Sequence, residues 1–70
     1  MPTDRFAEGD RVRVRHLSSM WQEDDRWVEG EVGRISEWHP KLNEWLVWIQ
    51  TPGEPEPTLW MFTDDELEQA

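Results

Sequence analysis

Residues 43–50 read NEWLVWIQ, and this stretch decides the fold. Its apolar side chains alternate along the chain, which is the period-2 spacing of a β-strand. One face carries Trp45, Val47 and Ile49, and the other carries Leu46 and Trp48. Since both faces are apolar, we expect this strand to be covered on both sides, or to leave one adhesive side.

Two further strands are predicted before this stretch. In residues 9–17, GDRVRVRHL, valines alternate with arginines, as in a half-buried strand. Residues 26–38, RWVEGEVGRISEW, continue the pattern, with Val28 and Val32 on one face. Gly33 interrupts this alternation, so we expect a bulge there that returns Ile35 to the buried face. The polar residues 16–25 between these two strands predict a loop.

The second half of the chain predicts a hairpin, a loop, a fourth strand and a helical turn. Residues 39–43, HPKLN, are typical of a hairpin connection, and the proline-rich residues 51–57 cannot form regular structure. Residues 58–62, TLWMF, predict a short strand. Thr63 and Glu66 have the spacing of a capping box that opens one helical turn, from which Leu67 can fold onto the core.

These elements predict an all-β fold, a small barrel of four to five short antiparallel strands with one C-terminal helical turn. We expect a single domain over residues 1–70, ordered from about residue 8 to about residue 68. A core this small must bury large side chains, since a domain of this size covers only about 60% of its unfolded surface. Several of the six tryptophans are therefore expected to be structural.

Composition narrows the classes of function. The chain has no cysteine, and its net charge is -9. Residues 1–34 hold six of the seven basic side chains, whereas residues 35–70 hold one lysine against eight acids. This charge disfavours binding to nucleic acid, and no signal peptide or membrane-length apolar run is visible. We expect a cytoplasmic protein.

No motif predicts catalysis, a metal or a cofactor. The two histidines, His16 and His39, have 22 residues between them and match no ligand spacing. Ser18 and Ser19 follow His16 closely, but neighbours in sequence do not form a catalytic triad without the required geometry. We expect a protein that is not an enzyme and has no cofactor.

Three tryptophans are candidates for recognition. Trp21 lies in the polar loop, Trp27 opens the predicted second strand on the side of Glu29 and Glu31, and Trp38 precedes the hairpin. Of the remaining three, Trp45 is expected in the core with Val47 and Ile49, and Trp48 and Trp60 are expected to pack together across paired strands. The alternative for Trp21 is that it folds inward and closes an open end of the barrel.

The segments GDRVRV, WVEGEVGRI, WLVWI and LWMFTDDELE resemble SH3-like small barrels of the Tudor type. GDRVRV, GEV and DDELE are also similar to the variable chain of ferredoxin–thioredoxin reductase and, more weakly, to the small SH3-like subunit of photosystem I. The resemblance covers about residues 8–68 and implies a non-enzymatic module that docks on a larger partner. In Tudor-type barrels the matching positions build a cage for methylated lysine or arginine, for which Trp21, Trp27 and Asp24 or Asp25 are the candidates.

Two functions from different classes compete. The first is a protein-interaction module whose partner has a basic patch, with its binding site formed by Trp21, Trp27, Trp38, Asp24 and Asp25. The second is a small acidic inhibitor of phage type, which would block the basic groove of a nuclease or DNA-binding protein with Glu54, Glu56, Asp64, Asp65, Glu66 and Glu68. Salt distinguishes them, because a charge mimic loses affinity steeply as salt rises.

Two further surface features bear on partners. Arg11, Arg13 and Arg15 form an outward stripe, which we expect Glu29 and Glu31 to neutralise across the strands, so that direct binding of nucleic acid is not expected. A homodimer stays open, because an uncovered Trp48 or Trp60 would form an exposed apolar patch.

Overall fold

The computed structural model describes residues 5–70 as a single antiparallel sheet of five strands in the order β4-β3-β2-β1-β5. The strands are β1 (Arg11–Val14), β2 (Val32–His39), β3 (Glu44–Gln50), β4 (Pro57–Phe62) and β5 (Leu67–Gln69). Two 3₁₀ helices, Glu23–Val28 and Asp64–Glu66, join them. The prediction of an all-β fold with short antiparallel strands and a C-terminal helical turn is confirmed.

The inner face of the sheet holds the core. Val12 and Val14 of β1 are buried between exposed arginines, as the alternation predicts. Trp45, Val47 and Ile49 of β3 are also buried, and this face of the strand was correctly predicted. The remaining core side chains are Phe6, Leu17, Val28, Ile35, Phe62 and Leu67.

The segment before β2 differs from its predicted strand. Strand β2 begins at Val32 and not at residue 26, because Glu23–Val28 forms a 3₁₀ helix whose first turn carries three acidic side chains. Gly30 and Glu31 still make two backbone hydrogen bonds with Val14 of β1. Acidic residues stabilise that end of a helix through its dipole. Gly30, at φ 91°, then turns the chain into β2. Trp27, Glu29 and Glu31 therefore do not share a strand face, although Val28 is buried as expected.

The bulge predicted at Gly33 lies instead between Ile35 and Glu37, where the register of β2 with β3 shifts. Gly33 pairs directly with Val12 on the inner face and is buried. A Cβ atom at Gly33 would lie 2.4 Å from the backbone oxygen of Trp48 and 2.8 Å from Cγ1 of Ile49. The glycine is thus needed for the close approach of β3, and not to accommodate an extra residue.

The connections agree with the turn signals, except that Pro57, the last residue of the predicted proline-rich loop, begins β4 and pairs with Gln50. The β2–β3 hairpin turns at residues 40–43, and Asn43 adopts φ 54°, a conformation that asparagine tolerates better than most residues. After β4, Thr63 and Glu66 form the predicted capping box. Leu67 is completely buried and begins β5, which pairs with β1.

Candidate functional site

Trp48 and Trp60 lie on opposite faces of the sheet, so the prediction that they pack together is wrong. In the β3–β4 pairing Trp60 is opposite Val47, whereas Trp48 is opposite Leu59. Since paired residues share a face, Trp60 joins the inner face and Trp48 the outer one. A shift of one residue in the pairing of β3 with β4 would reverse this assignment, because it would move Trp60 to the outer face.

An apolar patch consequently covers the outer face of β3 and β4. Leu46 is opposite Met61, and Trp48 is opposite Leu59, so the four side chains form two adjacent cross-strand pairs. Trp48, Met61 and Leu59 are 44%, 42% and 40% exposed. We call Leu46, Trp48, Leu59 and Met61 the outer patch. Since exposed apolar clusters on small soluble proteins mark interaction sites, it is the leading candidate for a binding surface.

The outer patch continues into a line of residues that crosses four strands. Arg11 of β1 is opposite Arg34 of β2, Arg34 is opposite Trp48 of β3, and Trp48 is opposite Leu59 of β4. We call these four residues the transverse row. It is cationic at the β1 end and apolar at the β4 end.

An open groove of about 720 Å³ accompanies the cationic half of the transverse row. It is lined by Arg11, Val32, Gly33, Arg34, Trp48, Gln50, Glu56 and Pro57. A groove that combines an indole, an aliphatic wall and guanidinium groups can hold an apolar group beside an anionic one.

The arginines of this face have neighbours that differ from the expected ones. Glu29 and Glu31 precede β2, and within residues 5–70 neither forms an ion pair with an arginine of the stripe. Arg13 pairs with Glu68 of β5 at 3.8 Å, and Arg15 donates to the backbone oxygen of Asp65 at 3.2 Å.

Arg11 and Arg34 keep their charge uncompensated by the described carboxylates. The Arg34 guanidinium donates to the backbone oxygen of Gly9 at 3.1 Å. Within residues 5–70 neither Arg11 nor Arg34 has a carboxylate at ion-pair distance. Two like charges directly opposite each other in a sheet repel.

Trp21, the first of the predicted anchors, packs against the core. Its ring stacks on Phe62, with centroids 5.3 Å apart, and on Trp60 at 6.0 Å. Its Nε1 donates to Oε2 of Glu66 at 2.9 Å. This geometry favours the alternative in which Trp21 folds inward.

Trp27 and Trp38 are also partly buried and packed against the core. Trp27 meets Trp60 edge to face at 5.6 Å, and Trp38 meets Trp45 at 4.9 Å. These contacts lie in different clusters, and no ring contact joins the two residues. The three predicted anchors thus do not form one exposed surface.

A smaller cavity of about 370 Å³ lies beside Trp21. Its lining includes Trp21, Asp25, Glu44 and Glu66, but not Trp27 or Asp24. A methyl-cation cage needs several aromatic walls, and only one tryptophan borders this cavity. Asp24 is exposed, and Asp25 is half-buried in the 3₁₀ helix.

The acidic set predicted for a charge mimic is divided between two places. Glu54 and Glu56 lie in the loop before β4, while the other four follow its far end. A strand of six residues spans about 20 Å, so the two groups are separated by that length.

Several of these acids serve the fold. Glu66 is 7% exposed and accepts from Trp21 and from the backbone N–H of Thr63. Asp64 accepts from Trp45 Nε1 at 3.1 Å and pairs with Arg5 at 3.0 Å. Glu68 is engaged with Arg13, which leaves Glu54, Glu56 and Asp65 as the exposed acids of the set.

Other chemistry has no geometric support in the part of the chain that the structure describes. No group of three or more His, Asp or Glu side chains in residues 5–70 is placed to hold a metal ion. His16 follows β1 in a loop, and His39 ends β2. None of the described helices has the length and hydropathy needed to cross a membrane.

Comparison with known proteins adds no relative: no family model, curated protein or solved structure matches the chain significantly.

The outer patch was missed as a site from sequence, although its signal was visible. Both β3 and β4 are apolar on both faces, a pattern that fits either a strand covered on both sides or one with an uncovered apolar side. The sequence did not fix which face of β4 joins which face of β3, because the connecting residues 51–56 are irregular.

Proposed function

We propose that this protein is a non-catalytic interaction module that docks on a larger protein partner through the outer patch. The observation that carries the proposal is the exposure of Trp48, Leu59 and Met61 side by side on a sheet whose other face already holds the core. Tryptophan is the residue most enriched at interface hot spots, where burying it contributes strongly to affinity.

We further propose that the sheet is an SH3-like barrel. Five short antiparallel strands, the pairing of β1 with both β2 and β5, and the 3₁₀ turn between β4 and β5 support this proposal. Barrels of this kind serve as docking modules, although the fold by itself does not define a function.

Trp21, Trp27 and Trp38 have a structural role in this proposal. Each packs against the core, so its removal would lower stability before it affected recognition. A docking site that combined these three tryptophans with Asp24 and Asp25 would use indole rings that already pack against the core. The outer patch instead offers side chains that the fold does not need.

The test is capture of a partner from extracts of the source cells, with immobilised wild type and a Trp48→Ser variant. We expect wild type to retain a protein at about 1 M NaCl, where charges are screened within about 3 Å, and the variant to lose it. Because Trp48 is 44% exposed, the variant should keep its fold, with a loss of about 1 kcal/mol or less.

A matched control removes an exposed apolar side chain elsewhere. Met20 is 88% exposed and lies outside the sheet, so Met20→Ser should retain the partner. If Met20→Ser and Trp48→Ser lost the partner to the same extent, the result would contradict a binding site at the outer patch.

The acidic-inhibitor function remains the second candidate, with less support because its acids are divided and partly engaged. It predicts capture of a nuclease or DNA-binding protein at low salt only, by wild type and Trp48→Ser alike. A Glu54→Gln/Glu56→Gln variant would weaken that capture.

A further inference from the structure

We infer that the groove along the transverse row binds an extended segment of a partner protein in which a carboxylate side chain stands next to a large apolar one. The inference rests on the proposed docking function and adds the chemistry of the partner. Its basis is the charge of the transverse row, whose two charged residues, Arg11 and Arg34, are both cationic although the whole chain is acidic.

At the cationic end of the row, no carboxylate of residues 5–70 lies within ion-pair distance of the guanidinium groups. Arg11 and Arg34 are directly opposite each other, and the described residues provide neither of them with an ion pair. Like-charged cross-strand pairs are unfavourable, and a bound carboxylate would relieve this repulsion. Guanidinium groups suit that ligand, since they bind carboxylates through paired hydrogen bonds.

The apolar end of the row begins at the next position. Trp48 is opposite Arg34 on one side and Leu59 on the other. Adjacent strands lie about 4.8 Å apart, so the distance from Arg34 to Trp48 matches one to two residues of an extended chain. A segment lying across the strands can therefore place its carboxylate and its apolar side chain on the two halves of the row together.

A nucleic acid fits this face less well. A phosphate backbone needs a continuous path of cations, but Arg13 is paired with Glu68, and Glu56 also lines the groove. Glu37 stands in the neighbouring outer row, opposite Leu46. A segment with one carboxylate can place it on Arg11 and Arg34, away from these acids. The repeated phosphates of a nucleic acid would lie close to the acids and be repelled by them.

The experiment selects peptides from a displayed library of random dodecapeptides on the immobilised full-length protein. We expect enrichment of Asp or Glu within two positions of Leu, Phe or Trp. The dissociation constant of an enriched peptide, measured by titration calorimetry, should rise about tenfold or more in Arg11→Ser/Arg34→Ser, as expected for losing a charge-assisted hydrogen bond.

A second double variant controls for total charge. Arg15→Ser/Lys41→Ser also removes two positive charges, so both variants change the net charge from -9 to -11. Arg15 and Lys41 line neither side of the groove, so this control should bind the peptide within about twofold of wild type.

The outcomes separate this inference from the docking function. Selected peptides that need Trp48 but show no preference for acidic residues would overturn the inference and leave the docking function intact. Peptides whose affinity is unchanged in Trp48→Ser would overturn both.

Two other occupants would also overturn the inference. The first is a second copy of this chain, seen as a dimer by light scattering that Trp48→Ser dissociates. The second is nucleic acid, seen as tighter binding of a dodecathymidylate strand than of any selected peptide.

Discussion

Trp45 and Trp48 show how position alone divides identical residues between two roles. Three positions separate them, and an odd separation in a strand places two side chains on opposite faces. Trp45 is 3% exposed and hydrogen-bonded to Asp64, while Trp48 is 44% exposed. The first is part of the core, and the second is available to a partner.

Replacing Gly33 with alanine adds only one methyl group, but the structure has no room for it. Gly33→Ala is expected to destabilise the protein by about 1–3 kcal/mol, since the added methyl group overlaps the Trp48 backbone and Ile49. Chemical denaturation of the variant measures this loss.

A suitable control for Gly33→Ala is Ser36→Ala, also in β2 but at the register shift and only half-buried. Its free energy of unfolding should stay within about 1 kcal/mol of wild type. A Gly33→Ala variant as stable as wild type would show that β3 can move away.

At the scale of elements, the 3₁₀ turn Asp64–Glu66 connects three parts of the molecule. Glu66 accepts from the Thr63 N–H at 2.8 Å and from Trp21 in the distant loop, while Asp64 accepts from Trp45 of β3. One short acidic turn thereby joins the end of β4, the Trp21 loop and β3.

Removing the Glu66 carboxylate should disrupt this connection. Glu66→Ala leaves two partly buried N–H donors without their partner, at about 1–3 kcal/mol each, so we expect a loss of roughly 2–6 kcal/mol in unfolding free energy. Thermal denaturation followed by circular dichroism measures it.

The matched control is Glu68→Ala, since the Glu68–Arg13 contact is 3.8 Å long and both side chains are about half exposed. Such pairs contribute about 0–1 kcal/mol. If the two variants were equally stable, the turn would not hold the Trp21 loop in place.

For the whole molecule, the net charge of -9 acts over distances comparable with its size. The radius of gyration is 11.4 Å, and the Debye length falls from about 30 Å at 0.01 M salt to about 10 Å at 0.1 M. Repulsion between acids across the molecule is therefore felt at the lower concentration and largely screened at the higher one.

We expect the melting temperature to rise between 0.01 M and 0.1 M NaCl by roughly 5 °C, which corresponds to about 1 kcal/mol for a domain of this size. Glu54→Gln/Glu56→Gln, in an exposed loop, should raise the low-salt value and reduce the increment. A fall with salt would mean that ion pairs such as Arg5–Asp64 outweigh the repulsion.

The sequence predicted what depends on local pattern and failed where distant segments meet. Alternation correctly placed Val12, Val14 and the inner face of β3. The capping box could be recognised in the sequence because its two residues, Thr63 and Glu66, are three positions apart. The fold class followed from these elements and from the turns between them.

The errors share a tertiary cause. The alternation predicted a second strand that begins at residue 26, but β2 begins at Val32, because Glu23–Val28 forms a 3₁₀ helix and the chain turns at Gly30. The face of Trp48 depends on the β3–β4 register, which a proline-rich loop does not reveal. The predicted site was wrong for the same reason. The sequence pointed to Trp21, Trp27 and Trp38, which pack against the core, whereas the exposed tryptophan is Trp48.

The exposure of Trp48 also gives the protein its own optical reporter. Indole fluorescence shifts to longer wavelength in water and is quenched by acrylamide where the ring is accessible, and the other five tryptophans are all packed against or within the core. The accessible fraction of the emission therefore comes chiefly from the outer patch. A partner that covers this face would shift the spectrum to the blue without any label, and the change would report occupancy directly.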